Sequence, residues 1–232
     1  DRPAEAASAF ERGLVIDPAS VKALRGLGNA LRDDGRAGEA IVALERAASL
    51  APDDAEVHLD RAHALLQAGR LAEGFEAYRW RWKSAEMKPH GHDAPEWDGG
   101  DLAGRTLLVH GEQGLGDNIQ FARFLLPVVA RGGRVVVEAR RVLHGLLRRL
   151  VLPKGARLDL VETGTEPPPH DLQIPPPDLP RVLGIDLADL PGPLPYLAAD
   201  PAAHARWRER LAPDGRLRVG LIWQGNPSAK AD

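Results

Sequence analysis

A glycine-rich loop in the middle of the chain carries residues whose types and spacing could do chemistry. It runs from Gly111 to Gln120 with the sequence GEQGLGDNIQ, between a short apolar run and a helical stretch. A loop at the start of a helix exposes unpaired backbone N–H groups and the positive end of the helix dipole. We therefore expect an anionic or polar ligand there. The alternative is that the glycines only form a tight turn and that Asp117 caps the helix.

Two familiar phosphate-binding motifs do not match this loop. The dinucleotide fingerprint needs a third glycine where Ile119 stands, and the P-loop needs Lys followed by Ser or Thr where Asp117 and Asn118 stand. The sequence therefore supports neither NAD nor ATP as a ligand, and we expect no cofactor.

Metal ligands are sparse in the sequence. The chain has no cysteine, which excludes thiolate metal sites and disulfides and fits a reducing compartment such as the cytoplasm. His90 and His92 stand in a loop of Pro, Gly and polar residues, where histidines more often lie at the surface than bind a metal. We predict no metal site and a cytoplasmic location.

Charge and hydropathy exclude two further classes of protein. The 30 Lys and Arg residues are interspersed with 33 Asp and Glu residues, for a net charge of -3, whereas nucleic-acid-binding proteins usually present a basic face. No run approaches the roughly 20 apolar residues of a membrane span. Because the chain begins without Met, we expect it to be part of a longer protein.

The first third of the chain matches itself when it is shifted by 34 residues. Leu24, Leu27 and Leu31 form an apolar stripe at helical spacing, and Gly28 stands where a small residue lets the paired helix approach. A period of 34 residues is typical of tetratricopeptide repeats (TPRs), and residues 1–82 resemble that family. The aligned positions include Arg2, Arg36 and Arg70; Glu5, Glu39 and Glu73; Pro18 and Pro52; and Gly35 and Gly69.

The resemblance to TPR proteins implies that the repeats bind a protein or peptide along one face. The alternative is that they are a spacer that orients the next domain. Tyr78 to Lys83 closes the repeats, and we expect Trp80, Trp82 and Trp97 to join them to that domain. For Arg79, Arg81 and Lys83 we favour a solvated face over contact with a phosphate.

The rest of the chain alternates short apolar runs with helical stretches. This pattern predicts an α/β domain with a doubly wound sheet. Strands are expected at residues 106–110, 134–138, 157–161, 171–174 and 217–223, and helices at 119–130, 142–150 and 204–211, the last with Trp207 facing inward.

The glycine-rich loop also carries a more specific resemblance. The run from Gly111 to Arg123, the triplet Trp97-Asp98-Gly99 and the segment from Gly220 to Pro227 resemble bacterial TPR proteins with a glycosyltransferase-like domain. That domain is similar to the family 9 heptosyltransferases and, more distantly, to the O-GlcNAc transferases. The likeness implies TPR helical repeats at 1–88, a linker at 89–105, and a Rossmann-like three-layer α/β domain at 106–232. The last would be the N-terminal, acceptor-side half of a GT-B fold, with the C-terminal half missing.

The same resemblance implies an inverting, metal-independent transfer from a nucleotide sugar. Asp117 would act as the base that deprotonates the acceptor hydroxyl, with His110 at a strand end as the alternative base. Lys230 would offset the charge on the leaving diphosphate. The residues implied to contact the sugars are Gln113, Gly114, Gly116 and Gln120.

The resemblance implies two partners. One is a nucleotide-sugar donor, held mainly by the missing half, and the other is a protein bound by the repeats. In one form of this hypothesis, the bound protein is itself the acceptor. Whether the protein is an enzyme stays open at this point, and we expect this fragment to be inactive alone. The alternative function is a non-catalytic scaffold in which the repeats bind a protein and the α/β part is a remnant.

Overall fold

The computed structural model describes residues 2–85, 87, 91–112, 114–190, 194–211, 215 and 219. The chain divides into two compact units, Asp1–Ala198 and Ala199–Asp232. In the described residues, no helix has the length and apolar character needed to cross a bilayer.

Five consecutive helices form the N-terminal part of the first unit, and each packs against the next. The helix α2 begins where the Ser20 side chain accepts a hydrogen bond from the N–H of Ala23, and α4 begins where Asp54 accepts two such bonds. These are the side chains that favour a helix N-terminus. The helices are α1 (Pro3–Ile16), α2 (Val21–Asp33), α3 (Ala37–Leu50), α4 (Ala55–Gln67) and α5 (Leu71–Tyr78).

The 34-residue period recurs in the backbone where α2 and α4 end. Gly35 and Gly69 have positive φ angles of 80° and 78°. The N–H that follows each glycine donates back to Leu31 or Leu65 over 2.9 Å. This arrangement is the common glycine cap of a helix C-terminus. The glycines therefore reverse the chain between the paired helices in both repeats.

The period recurs in side chains as well. An arginine just before α1, α3 and α5 donates to the glutamate three residues later. The pKa of Glu39 is lowered mainly by its hydrogen bond from Arg36. Because these pairs are exposed, they add little to stability, but they mark the three equivalent helix starts. The pairs are Arg2–Glu5, Arg36–Glu39 and Arg70–Glu73.

Close packing between α2 and α3 depends on a glycine. A Cβ atom at Gly28 would lie 2.4 Å from Cγ of Leu44. Leu44 itself is fully buried, as are Ala40 and Ala47 on the same helix. The prediction that Gly28 admits the paired helix is therefore confirmed.

A 3-10 turn over Arg79–Lys83 closes the repeats. The Trp80 ring stacks on His58 of α4 with centroids 3.9 Å apart, and the Lys83 ammonium lies over the Trp80 ring. Arg79 and Lys83 are exposed, as expected of a solvated face. Arg81 is only 2% exposed, so the solvated position that we expected for Arg81 is wrong.

A four-stranded parallel sheet follows, in the order β3-β2-β1-β4. Strands lie at the first four predicted positions. The fifth, predicted for residues 217–223, falls outside the described residues except for residue 219. The strands are β1 (Thr106–Val109), β2 (Arg134–Ala139), β3 (Leu158–Glu162) and β4 (Leu172–Ile174).

The helix predicted for residues 119–130 begins earlier and is broken. A 3-10 turn, Ala122–Phe124, separates two short helices. Pro127 explains the break, because a proline has no N–H to donate to the carbonyl four residues earlier. The helices of this part are α6 (Leu115–Phe121), α7 (Leu125–Val129), α8 (Arg141–Leu147) and α9 (Leu179–Val182).

The two faces of the sheet differ in chemistry because alternate residues of a strand point to opposite sides. One face is apolar and belongs to the core that also holds Trp97 and the helices; its strand residues include Leu107, Val109, Val135 and Val137. The alternate positions include buried polar side chains, namely His110, Glu138 and Gln173. Trp97 also extends the sheet, because its N–H donates to the carbonyl of Gln173 over 2.9 Å.

The described part of the second unit is mainly one helix, α10 (Pro201–Arg210). Trp207 is 56% exposed, and the Arg210 guanidinium lies over its ring. The inward orientation predicted for Trp207 is therefore wrong, since no residue of α10 is buried.

Candidate functional site

The strand order predicts a ligand-binding crevice at the position of the glycine-rich loop. The chain runs from β1 to β2 and β3 on one side, and β4 then pairs with the other side of β1. In open parallel sheets, ligands bind at the carboxyl ends of the strands where the order reverses in this way. His110 and the loop beginning at Gly111 follow the carboxyl end of β1.

The loop passes into α6 through a cap made by its own side chains. Asp117 Oδ2 accepts a hydrogen bond of 3.1 Å from the N–H of Gly114. Asn118 Nδ2 donates to the carbonyl of Gly114 over 2.8 Å. The capping alternative for Asp117 is thus present in the structure. Among the residues that the structure describes, the other carboxylate oxygen of this half-buried side chain has no hydrogen-bond donor.

The predicted sugar-contacting residues are placed in two groups. Gly116 and Gln120 are exposed on α6 and line the same cavity. Gly114 is exposed at the start of that helix, beside Asp117. Gln113, and Lys230 with its expected place at the diphosphate, lie outside the described residues.

The cavity lies between the last repeat and α6 and has a volume of about 550 Å³. Leu71 and Phe75 of α5 line the cavity, as do Phe121 and Phe124. The rings of Phe75 and Phe121 meet edge to face, with centroids 6.2 Å apart. Its size and mainly apolar lining are those of a small-ligand or side-chain pocket.

A buried arginine joins the repeats to the glycine-rich loop. Arg81 donates to Glu112 from Nε over 2.7 Å and from Nη2 over 2.8 Å. It also donates to Asp178 from Nη2 over 2.7 Å and from Nη1 over 3.2 Å. The three side chains are 3%, 4% and 2% exposed. One cation therefore holds the loop and the segment after β4 against the end of the repeats.

The electrostatics of this triad favour the charged arginine. Burial by itself lowers the pKa of Arg81, but the hydrogen bonds that its guanidinium donates to Glu112 and Asp178 outweigh burial and raise the pKa. Two carboxylates face one guanidinium, so the three groups carry a net charge of about -1 when all are ionised. Arg181 Nε lies 4.0 Å from Asp178 Oδ1 and partly offsets that excess.

Histidines and a glutamate cover the polar face of the sheet near the crevice. His110 is 1% exposed, and its Nε2 lies 2.8 Å from Gln173 Oε1. His92 Nε2 lies 3.6 Å from Glu138 Oε2, and its ring lies 4.9 Å from that of His110. The surface position expected for His92 is wrong, since its side chain is only 16% exposed. His90 lies outside the described residues.

The polar face does not form a metal centre in the described part of the chain. There, no group of three or more His, Asp or Glu side chains is arranged to hold a metal ion. His92, His110 and Glu138 are therefore best explained as a buried polar layer held by hydrogen bonds and ring contacts.

The sequence reasoning missed Arg81, Glu112 and Asp178 as site residues. A weak signal was available for Arg81, which breaks the pattern of the repeats at a packing position. Asp178 follows three prolines, and nothing in its surroundings in the sequence points to an arginine 97 positions away. His92 gave a false signal, because polar neighbours in a loop usually mean exposure.

Charged side chains connect the first helices of the two repeats. Arg25 on α2 pairs with Asp60 and Glu56 on α4. Asn29 Nδ2 also donates to Asp60 over 2.8 Å. This network therefore links α2 to α4 across the two repeats.

Comparisons with known proteins agree with the repeat assignment. Residues 28–69 match the family described as "TPR repeat". Repeats of this type imply protein–protein interaction. "Protein FlbA" of Caulobacter vibrioides is 35% identical over 125 residues, which is 52% of this chain and 21% of that protein.

A solved structure with some similarity is described as "Thermobaculum terrenum O-GlcNAc transferase mutant - K341M". The likeness has a TM-score of 0.32 at 17% sequence identity and covers 58% of this chain and 33% of that one. The chain thus spans about a fifth of FlbA and a third of the transferase chain.

Proposed function

We propose that this chain is the repeat-bearing, acceptor-side part of an inverting glycosyltransferase that uses a nucleotide sugar. The observation that carries the proposal is the position of the glycine-rich loop. It follows β1 where the strand order reverses, and Asp117 lies in the first turn of the helix after it. This is the place where an α/β sheet binds its ligand.

Asp117 is the proposed general base. Its carboxylate would take the proton from the acceptor hydroxyl as that oxygen attacks the anomeric carbon of the donor sugar. The bond between that carbon and the diphosphate oxygen breaks, and the nucleoside diphosphate leaves. Attack opposite the leaving group inverts the configuration at the anomeric carbon. Gly116 and Gln120 would contact the acceptor.

Burial favours Asp117 over His110 as the base. His110 is 1% exposed and hydrogen-bonded to Gln173, so an acceptor hydroxyl could reach its ring only after the polar layer opened. Asp117 is half-buried beside the exposed Gly114 and Gly116. A general base must come within hydrogen-bond reach of the proton that it removes.

The proposal includes the GT-B organisation. The repeats at 1–88 and the linker at 89–105 would lead into a Rossmann-like half at 106–232. A second half, in the full-length gene product, would hold most of the donor. Lys230 is proposed to face the leaving diphosphate and to offset its charge. The parallel four-stranded sheet supports the first half of this arrangement.

Replacement of Asp117 tests the proposal, and the structure supplies a matched pair of variants. In Asp117→Asn the amide oxygen can still accept from the N–H of Gly114, so the helix cap is kept while the base is lost. In Asp117→Ala both are lost, and a side-chain hydrogen bond of this kind contributes about 0.5–1.5 kcal/mol.

The assay is release of nucleoside diphosphate and labelling of acceptor by the full-length gene product. We expect Asp117→Asn to lose transfer by about 100-fold or more, in the range of general-base catalysis, with an unchanged melting temperature. Asp117→Ala should lose transfer and also melt earlier. Full turnover in Asp117→Asn would exclude Asp117 as the base.

A non-catalytic scaffold is the second candidate, and the TPR match at residues 28–69 favours it. In that case the loop only forms a tight turn, with Asp117 as its helix cap. Isothermal titration of the full-length protein with UDP-, GDP- and ADP-sugars separates the two. Donor binding supports the transferase, whereas a stable protein complex without any donor binding supports the scaffold.

A further inference from the structure

A charged side chain stands in the otherwise mainly apolar cavity between the last repeat and α6. Arg123 lines the cavity, and its guanidinium lies 4.9 Å from the centroid of the Tyr196 ring. The Tyr196 hydroxyl donates to the carbonyl of Ile119 over 3.2 Å, which fixes the ring under the arginine. The cation is therefore held in place by an aromatic platform.

Arg123 is only partly buried, and its environment differs from that of the buried Arg81. Arg81 has two carboxylate partners, whereas Arg123 Nε is buried and has no hydrogen-bond acceptor among the residues that the structure describes. A buried donor without an acceptor is unfavourable. A ligand carboxylate at this position would recover that free energy.

The walls of the cavity define the other half of the ligand. Phe75 comes from the last repeat, and Phe121 and Phe124 come from the segment that follows the glycine-rich loop. The volume of about 550 Å³ is enough for one or two large side chains but small for an entire folded element. An apolar side chain therefore fits beside the carboxylate.

We infer that this cavity binds an extended peptide segment in which a large apolar residue stands next to an acidic one. The charge complementarity of Arg123 requires the acid, and the aromatic walls require the apolar residue. Part of the lining comes from the helical repeats, of which residues 28–69 match the TPR family and imply a protein partner. A nucleoside diphosphate fits less well, because its several negative charges usually need more than one cation or a row of N–H groups.

This inference deepens the proposed function because it gives the chemistry of the acceptor segment. Only the role of the bound peptide as acceptor rests on the proposed function. Binding of the peptide requires no transfer, so the two proposals fail separately. An inactive transferase with an intact peptide site would leave this inference standing.

The test uses the 232-residue chain and two fluorescein-labelled octapeptides. One contains Phe-Leu-Asp-Glu between glycine pairs, and the other contains Phe-Leu-Asn-Gln in the same frame. Fluorescence anisotropy at physiological salt should show about tenfold tighter binding of the acidic peptide, equivalent to about 1.4 kcal/mol. Equal affinities for the two peptides, or no binding of either, would overturn the inference.

Three variants locate the effect. Arg123→Met should abolish the preference for the acidic peptide, and Arg123→Lys should keep part of it because the charge remains. Arg131→Met is the matched control, since Arg131 is exposed and lies outside the cavity lining, and it should bind as the wild type does. Circular dichroism establishes that each variant is folded.

Two further outcomes decide the occupant. An unchanged preference in folded Arg123→Met would overturn the inference. Displacement of the acidic peptide by uridine diphosphate alone, with the same dependence on Arg123, would assign the cavity to the donor and would also overturn it. Resistance of the bound peptide to uridine diphosphate would support it.

Discussion

Replacement of Arg81 by methionine is expected to destabilise the first unit severely. Four N–H···O contacts of 2.7–3.2 Å join the guanidinium to Glu112 and Asp178. All three side chains are at most 4% exposed. Methionine removes the cation but leaves both carboxylates in the interior.

The size of the effect follows from that geometry. Breaking a buried ion pair from one side destabilises a protein by about 3–5 kcal/mol. The second cation near Asp178, Arg181 at 4.0 Å, favours the lower end of that range. A loss of about 3 kcal/mol is a large part of a typical stability of about 5–15 kcal/mol.

The measurement is urea unfolding followed by circular dichroism and tryptophan fluorescence. With a slope of about 2 kcal/mol/M, we expect the midpoint to fall by roughly 1.5 M. The matched control is Arg141→Met, because the Arg141 side chain is 83% exposed and pairs with Glu162 at 3.3 Å. A surface pair of that kind should change the unfolding free energy by less than about 0.5 kcal/mol.

A neutralised triple variant isolates the electrostatic cause. Combining Arg81→Met with Glu112→Gln and Asp178→Asn removes both acidic charges while keeping the shapes of the side chains. The triple variant should be more stable than the single one by at least about 1 kcal/mol. The reasoning fails if Arg81→Met loses less than about 1 kcal/mol, or if neutralising both acids restores nothing.

Two other predictions concern the repeats. Gly28→Ala should destabilise the protein by about 1–3 kcal/mol, because the added Cβ would lie 2.4 Å from Leu44 Cγ. Gly38→Ala is the control, since a Cβ there has nothing within 4 Å and should stabilise the protein slightly. Similar melting temperatures for the two variants would contradict this prediction. Burial and, to a lesser degree, Arg32 lower the pKa of His63 below its ordinary 6.5. As the pH falls, the unfolded chain therefore binds a proton at this histidine before the folded chain does. The stability that the neutral His63 contributes is complete above about pH 6.5 and is lost as the pH falls towards the lower pKa of the folded state. His63→Gln should show less loss of stability between pH 7.5 and 5.5 in urea titrations, and an unchanged loss would speak against a titrating His63.

The sequence predicted most of the local structure. The 34-residue period predicted the paired helices and the glycine caps at Gly35 and Gly69, because capping and helical periodicity depend on residues within a few positions of each other. Short segments rich in Leu, Ile and Val predicted the four described strands, since the strands of a parallel sheet are mostly buried. The glycine-rich loop was likewise visible as the connection between β1 and α6.

Only the tertiary structure decided which polar side chains are buried and what they contact. Arg81 looks like its exposed neighbours Arg79 and Lys83 in the sequence, yet it meets an acid 97 positions away. His92 looked like a surface loop residue and lies against Glu138. The cavity with Arg123 likewise exists only because the last repeat packs against α6. Such contacts depend on segments far apart in the chain, and no local pattern of residue types encodes the distance between them.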